Sequence, residues 1–421
     1  MIHKSRYPQT KPVCDKLMFL HMGNNNPNSI VQFVGKLSLL YRASRLKLDS
    51  LKDYEILRWW RLLDSEKTAR YTLFYQSTGL FHDWLRCTYK DIFQDTVCAF
   101  SEHDLDKMVH AVDELYKDVP DDQLGDVFDD FVFCGLAYNG YSFNHGMLFA
   151  VQHHQDVIPA SPKTLSAAFE YFPVPRYGAV LIDPAAGTGS MIHALAMHGK
   201  LWANSNVLLS EYDRDGMVLS CIRMLMEGVN LPISTAQQIN FAFDWKNTIS
   251  VSRDWVSKAE YSATMPPLGA VEYYTTGDFR EPIHPWLKKV LGDKSPRNIP
   301  TWMAVLVAQL NLLEYGGYGL IILSEQAVGW NTQNGLYQLA RQHLFERADV
   351  QYAVELDPME FQPFYKGGKN AVAVIYQKND DGTQNGVTFI GKDGRTIYRT
   401  PDQLRDGHHL WPATYLKELK K

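Results

Sequence analysis

Cysteine is scarce. The five in this 421-residue chain (Cys14, Cys87, Cys98, Cys134 and Cys221) are scattered and form no C-x-x-C pair. That spacing argues against a zinc ribbon or a disulfide framework and suits a reducing, cytoplasmic setting. Long uncharged apolar runs are missing too, and the first residues, Met1-Ile-His-Lys-Ser-Arg-Tyr7, lack the apolar core of a signal peptide. Neither secretion by a signal peptide nor a membrane span is expected. There is no excess of positive charge: 42 Lys and Arg against 47 Asp and Glu leave a formal charge of −5. A chain so balanced has no global pull toward nucleic acid, so any such contact must come from a local basic patch or from a partner. His153 and His154 have no Cys, His or acidic cluster to support them, and no metal site is expected.

What is present is an ordinary globular composition, 45% hydrophobic and 21% charged, in a chain long enough for two or three structural units. Residues 1 to 150 read as a helical N-terminal domain. Ile30, Phe33, Val34, Leu37 and Leu40 follow Pro27-Asn28-Ser29 at helical spacing, and further segments surround Trp59 and Trp60 and run from Trp84 to Val97. Tryptophans there could stack on bases, but a helical apolar stripe reads first as core. From about residue 151 short apolar strands alternate with helices. The candidates are 179–182, 207–209, 241–243, 261–264, 319–323, 352–356 and 371–376. Such alternation predicts an α/β, doubly wound parallel sheet. Gly367-Gly368 between the last two candidates suits a hairpin, so an antiparallel strand should end the sheet. The core is read as 151–379. Residues 380–421 are read as a small β appendage and tail, with turns at Asp381-Gly382, Asn385-Gly386 and Asp393-Gly394.

The most informative string is Val180-Leu-Ile-Asp-Pro-Ala-Ala-Gly-Thr-Gly-Ser190. A buried strand ends in Asp183, a tight loop carries Ala185, Gly187 and Gly189, and a helix opens near Ser190. The glycines let the backbone turn sharply and bring its N–H groups close to a ligand. No Lys follows them, which excludes a G-x-x-x-x-G-K-[ST] phosphate cradle. Glu211 ends the next strand, where a carboxylate can accept both hydroxyls of a ribose. Asp244 follows Phe241-Ala-Phe243 and can accept from an exocyclic amine.

Asp183-Pro-Ala-Ala-Gly-Thr-Gly-Ser190 resembles motif I of S-adenosylmethionine (SAM) methyltransferases, in the D-P-A-x-G-T-G form of the DNA N6-adenine enzymes. Ile158-Pro-Ala-Ser-Pro162 resembles their motif X, with Ser161-Pro162 in place of Thr-Pro, although Ser161 could equally cap the helix at 163–169. Leu124-Gly-Asp-Val-Phe-Asp-Asp-Phe131 looks like the family's L-G-x-x-Y-E-x-F helix, and Ser210-Glu-Tyr-Asp213 is similar to its G-x-E-x-D. Over residues 120 to 378 the chain thus resembles the γ-type N6-adenine DNA methyltransferases, like the modification subunit of type I restriction–modification systems. The resemblance implies a Rossmann-like SAM methyltransferase sheet behind a helical N-terminal domain. It implies SAM held by Ser161, Asp183, Ala185, Gly187, Gly189, Glu211 and Asp244, with methyl transfer to adenine N6 in DNA. It also implies reliance on a separate specificity subunit for target choice, since the chain leaves little room for a target-recognition domain; the expected partners are DNA and either that subunit or a second copy in a homo-oligomer.

One motif departs. The family's N-P-P-F/Y falls on Met265-Pro266-Pro267-Leu268. Adenine's amine is a poor nucleophile, because its lone pair is delocalised into the ring. The Asn side chain and a Pro-Pro carbonyl hold its hydrogens, while the aromatic ring stacks on the flipped base. A thioether is a weak acceptor. By analogy with oxyanion donors, losing one preorganised polar group lowers the rate by about 10²–10³. Losing the stacking ring removes roughly 1–3 kcal/mol of base binding. Three readings stay open: an active adenine methyltransferase, a catalytically inactive SAM-, DNA- or partner-binding subunit, and a methyltransferase for another acceptor. Lys288, Lys289, Lys294 and Arg297 could touch phosphates, though a solvated loop explains them as well.

Overall fold

The structure, a computed structural model, describes residues 6–19, 27–45, 58–66, 69–70, 72–74, 76, 101–141, 162–199, 205–211, 214–226, 240–245, 255–268, 273–275, 290, 298–329, 335–361, 370–405 and 408–420. Among the described residues the first elements are α1 (Thr10–Phe19), α2 (Pro27–Arg45), α3 (Trp59–Asp64), α4 (Glu102–Tyr116) and α5 (Leu124–Tyr141). Then come α6 (Pro162–Glu170), β1 (Val180–Asp183), α7 (Ser190–Met197), β2 (Asn206–Glu211), α8 (Arg214–Met226), β3 (Asn240–Trp245) and β4 (Ala259–Thr264). A short pair, β5 (Tyr273–Thr275) and β6 (Asn298–Pro300), precedes α9 (Thr301–Leu312), β7 (Leu313–Ser324), α10 (Glu325–Gly329) and α11 (Leu336–Arg347). The chain closes with β8 (Ala348–Glu355), β9 (Ala371–Lys378), β10 (Val387–Ile390), β11 (Thr396–Arg399) and α12 (Pro412–Leu416).

The chain divides into two compact units, Met1–Pro159 with Val218–Gln238, and Ala160–Met217 with Ile239–Lys421. In the first, the apolar stripe expected of α2 is buried: Ile30, Val34 and Leu37 are sealed from solvent. Ser101 caps α4 through a reciprocal box with Asp104, which satisfies the first-turn N–H groups. The two adjacent tryptophans separate, because neighbours on a helix point about 100° apart. Trp59 is buried, its indole donating to Asp113 at 3.0 Å, whereas Trp60 is exposed. The helix expected around 84–97 lies outside the described residues.

The second unit is built on a nine-stranded sheet in the order β11-β10-β8-β9-β7-β4-β1-β2-β3. All seven candidate strands are present. From β3 through β2, β1 and β4 to β7 every pairing is parallel. The chain order reverses between β1 and β4, and in a doubly wound sheet that reversal opens a crevice at the carboxyl ends of the strands. β9 runs antiparallel to both β7 and β8. The antiparallel strand expected at the end of the sheet is therefore inserted within it. The small appendage expected from residue 380 is instead two further strands of the same sheet: β10 pairs with β8 and β11 with β10. Side chains drive this: Phe389 of β10 is fully buried and stacks on Tyr415 at 4.1 Å, completing the core that α9 and α11 form with Ile321, Leu323 and Val374. Of the three expected hairpin turns, Asp393-Gly394 joins β10 to β11, with Gly394 at φ 78°. Asp381-Gly382 lies on a connection that passes β8, since β9 and β10 flank that strand.

Candidate functional site

The crevice begins where β1 ends. Gly187 and Gly189 adopt φ of 52° and 78°, left-handed values that bend the chain from strand into helix within six residues. A Cβ at either position would strain that bend. Gly189 is the N-cap of α7 and supplies no side-chain cap, so the first turn of the helix keeps N–H groups directed toward the loop. The loop is anchored on both sides. Ala185 N–H donates to Asp183 Oδ1 at 3.1 Å, and Ala186 N–H donates to the Ser210 carbonyl of β2 at 3.0 Å. Gly187 N–H donates to Glu211 Oε2 at 2.5 Å. Thr188 and Ser190 share a hydrogen bond of 3.0 Å between their hydroxyls.

Glu211 thus sits at the carboxyl end of β2 with its buried carboxylate turned onto the glycine loop, so a diol arriving there would meet the carboxylate and the loop together. Asp183 is sealed from solvent, and burial pushes its carboxyl from the usual 3.8 up to about 7. The Ala185 N–H and the Thr264 hydroxyl oppose that rise. Among the described residues the Thr264 hydroxyl and Asp183 Oδ2 complete no hydrogen bond, so Thr264 acts on the carboxyl from nearby. The β2–β3 register sets Asp244 opposite Ser210, one residue before the end of β3.

Because β1 pairs in parallel with β4, the loop after Thr264 opens at the same carboxyl end of the strands as the glycine loop. Met265-Pro266-Pro267-Leu268 leaves β4 without regular structure; Met265 and Pro267 are half-buried, and Leu268 is only 4% exposed. A buried Leu268 offers no open platform for a flat ring. Thr264 is the last residue of the strand and wholly buried. Ser161, His153, His154, Lys288, Lys289, Lys294 and Arg297 lie outside the described residues.

Sequence reasoning passed over a group just beneath these loops. Ser262, Gln309 and Tyr376 are fully buried and joined by hydrogen bonds. The available signal was Gln309 itself, an amide in the otherwise apolar run Trp302-Met-Ala-Val-Leu-Val-Ala-Gln-Leu310.

The groups present suit a nucleoside that carries a cationic sulfonium: a close-approach glycine turn between strand and helix, a carboxylate at the next strand end, and a second carboxyl beneath the loop. Among the described residues no helix is long and apolar enough to cross a membrane. No protein-family model matches the sequence, and no curated protein matches it. Solved structures do match in fold. The methyltransferase subunit of a type I restriction–modification system from Streptococcus thermophilus superposes with a TM-score of 0.55 at 14% identity, over 98% of this chain and 92% of that one. A chain described as a modification subunit of a type I restriction enzyme from Vibrio vulnificus YJ016 gives 0.58 at 12% identity, over 99% and 90%. A chain from a further type I restriction–modification system gives 0.58 at 14%, over 98% and 81%. At such identities the likeness is one of fold: this chain shares the α/β architecture of those type I modification subunits.

Proposed function

We propose that this chain binds SAM and is a methyltransferase-like protein of the N6-adenine DNA type, a subunit that takes its target choice from a partner. The observation that carries the reading is the glycine loop at the chain reversal of the sheet, with both glycines left-handed and Glu211 bonded to Gly187 N–H. SAM, when bound, supplies an electrophilic methyl group. The chain's own part would be to seat the nucleoside against the 185–189 loop, where left-handed Gly187 and Gly189 let it approach the backbone closely, to meet the ribose with Glu211 and the adenine with Asp244, and to hold Asp183 beneath the loop. Ser161 would complete the methionine side. The chain's formal charge of −5 favours DNA contact through a local patch or a second subunit rather than through the whole surface.

The reaction loop favours a second reading. Met265 supplies no strong acceptor and Leu268 no ring, leaving a Pro-Pro carbonyl as the polar contact for an adenine amine. The chain then acts as a SAM-, DNA- or partner-binding subunit with little transfer activity, or methylates an acceptor that needs neither group. Titration calorimetry with SAM tests the first claim: binding is expected, with loss in Asp183→Ala and Gly187→Trp, and absence of binding in the natural chain sinks it. Labelled SAM with unmethylated adenine-rich DNA tests the second. Transfer by the Met265→Asn/Leu268→Phe variant should exceed that of the natural chain by about 10²–10³. Equal rates would remove the attenuation.

A further inference from the structure

The shortest seam in the second unit's parallel sheet lies where the two loops meet. β1 and β4 pair through only two residues, Leu181 with Tyr261 and Ile182 with Ser262. β1 and β2 pair through four, and β2 and β3 through six. A seam so short gives its strands little backbone bonding to fix their relative height, and each ends in one of the two loops.

A chain of buried side-chain hydrogen bonds crosses that seam. Tyr376 on β9 donates its hydroxyl to Gln309 Oε1 at 2.7 Å. Gln309 Nε2, on α9, donates to the Leu320 carbonyl of β7 at 3.0 Å and to Ser262 Oγ of β4 at 3.0 Å. Ser262 in turn donates its hydroxyl to the Ile182 carbonyl of β1 at 2.8 Å, one residue before Asp183. Every bond runs the same way, from phenol to amide to hydroxyl to carbonyl, and that direction sets the orientation of the Gln309 amide. All three side chains are fully buried. β7 carries no side chain where the phenol passes: a Cβ at Gly319 would fall within the Tyr376 ring. The glycine opens the path by which a residue of β9 reaches across β7 to the helix.

We propose that Gln309 and Tyr376 are positioning residues that lock β1 against β4 and so set the spacing between the glycine loop and the Met265–Leu268 loop. Satisfied buried networks polarise along their length and hold one geometry, which suits a seam with a short ladder. That the locked strands serve a SAM site rests on the function proposed above; the lock itself does not.

Native-state hydrogen exchange and SAM titration, run well below the thermal midpoint, test the lock in Tyr376→Phe, which removes one hydroxyl, and in Ser262→Ala, which removes the hub. Exchange at the amides of 181–183 and 262–264 should speed by about fivefold, the worth of one buried hydrogen bond, while β2–β3 amides stay unchanged. The SAM dissociation constant should rise by a similar factor. Phe389→Leu, in the same unit but off the network, should leave the seam amides and SAM affinity unaltered. Unchanged seam exchange in both network variants, or a rise matched throughout the sheet, overturns the proposal. If the natural chain fails to bind SAM, the functional reading falls while the exchange comparison still decides the lock. If Tyr376→Phe does not fold, Ser262→Ala decides alone.

Discussion

Asp183 keeps its proton to about pH 7 because burial beneath the glycine loop penalises its charged form. The unfolded chain loses the same proton near 3.8. Between those values the unfolded state holds fewer protons than the folded one, so this group's contribution to stability falls as pH rises through the window and levels off above about 7. Urea midpoints from pH 5 to 8 should therefore decline more steeply in the natural chain than in Asp183→Asn. The difference should be on the order of a few kcal/mol. A cationic ligand over the loop favours the ionised carboxylate, so SAM affinity should rise across the same window, with proton release visible by calorimetry in buffers of different ionisation enthalpy. Aspartate at this position was legible as a site residue from its neighbours in the string. Its protonation state was not, because that depends on what covers it.

Elements followed from periodicity wherever one face of a helix or strand decides burial, as in α2 and in the seven candidate strands. Insertion of β9 between β7 and β8 was not legible, because a hairpin signal tells which strands adjoin and not which third strand takes the far side of the pair. The Gly187–Glu211 bond and the Ser262–Gln309–Tyr376 chain escaped for a related reason: each joins residues remote in sequence that only the sheet order brings together. α5 carries a comparable surprise. Asp129 and Asp130 are buried in an otherwise apolar stretch, and Asp129 forms an ion pair with the buried Arg223 of α8 and another with Arg6 at 2.7 Å. Removing the carboxylate takes a buried countercharge from the buried Arg223 guanidinium and from Arg6. Asp129→Ala should thus cost about 3–5 kcal/mol, and Asp129→Leu combined with Arg223→Met should recover most of it. Denaturant midpoints of the two variants provide the check.

At the scale of the whole chain, the last forty residues belong to the second unit's core rather than to a dispensable tail. Phe389, Leu410 and Tyr415 are each no more than 1% exposed and pack in the same cluster as Leu306 and Val374. A chain ending at Asn379 would uncover those contacts and leave β8 as a bare edge open to intermolecular pairing. Light scattering and circular dichroism of that truncation should show aggregation or loss of cooperative folding, and a monomer that melts like the full chain would contradict the expectation. The position of β9 also has a consequence for biogenesis. β7 and β8 leave the ribosome before the strand that must lie between them, and both run in the same direction. Until β9 emerges, the nascent chain can zip β8 directly onto β7, a mispaired sheet that has to be prised open before the late arrival can enter. Synthesis of this protein is therefore expected to include a detour, lasting the time needed to translate about twenty residues, on the order of seconds, and yield should rise when the two complementary edges are kept apart over that interval.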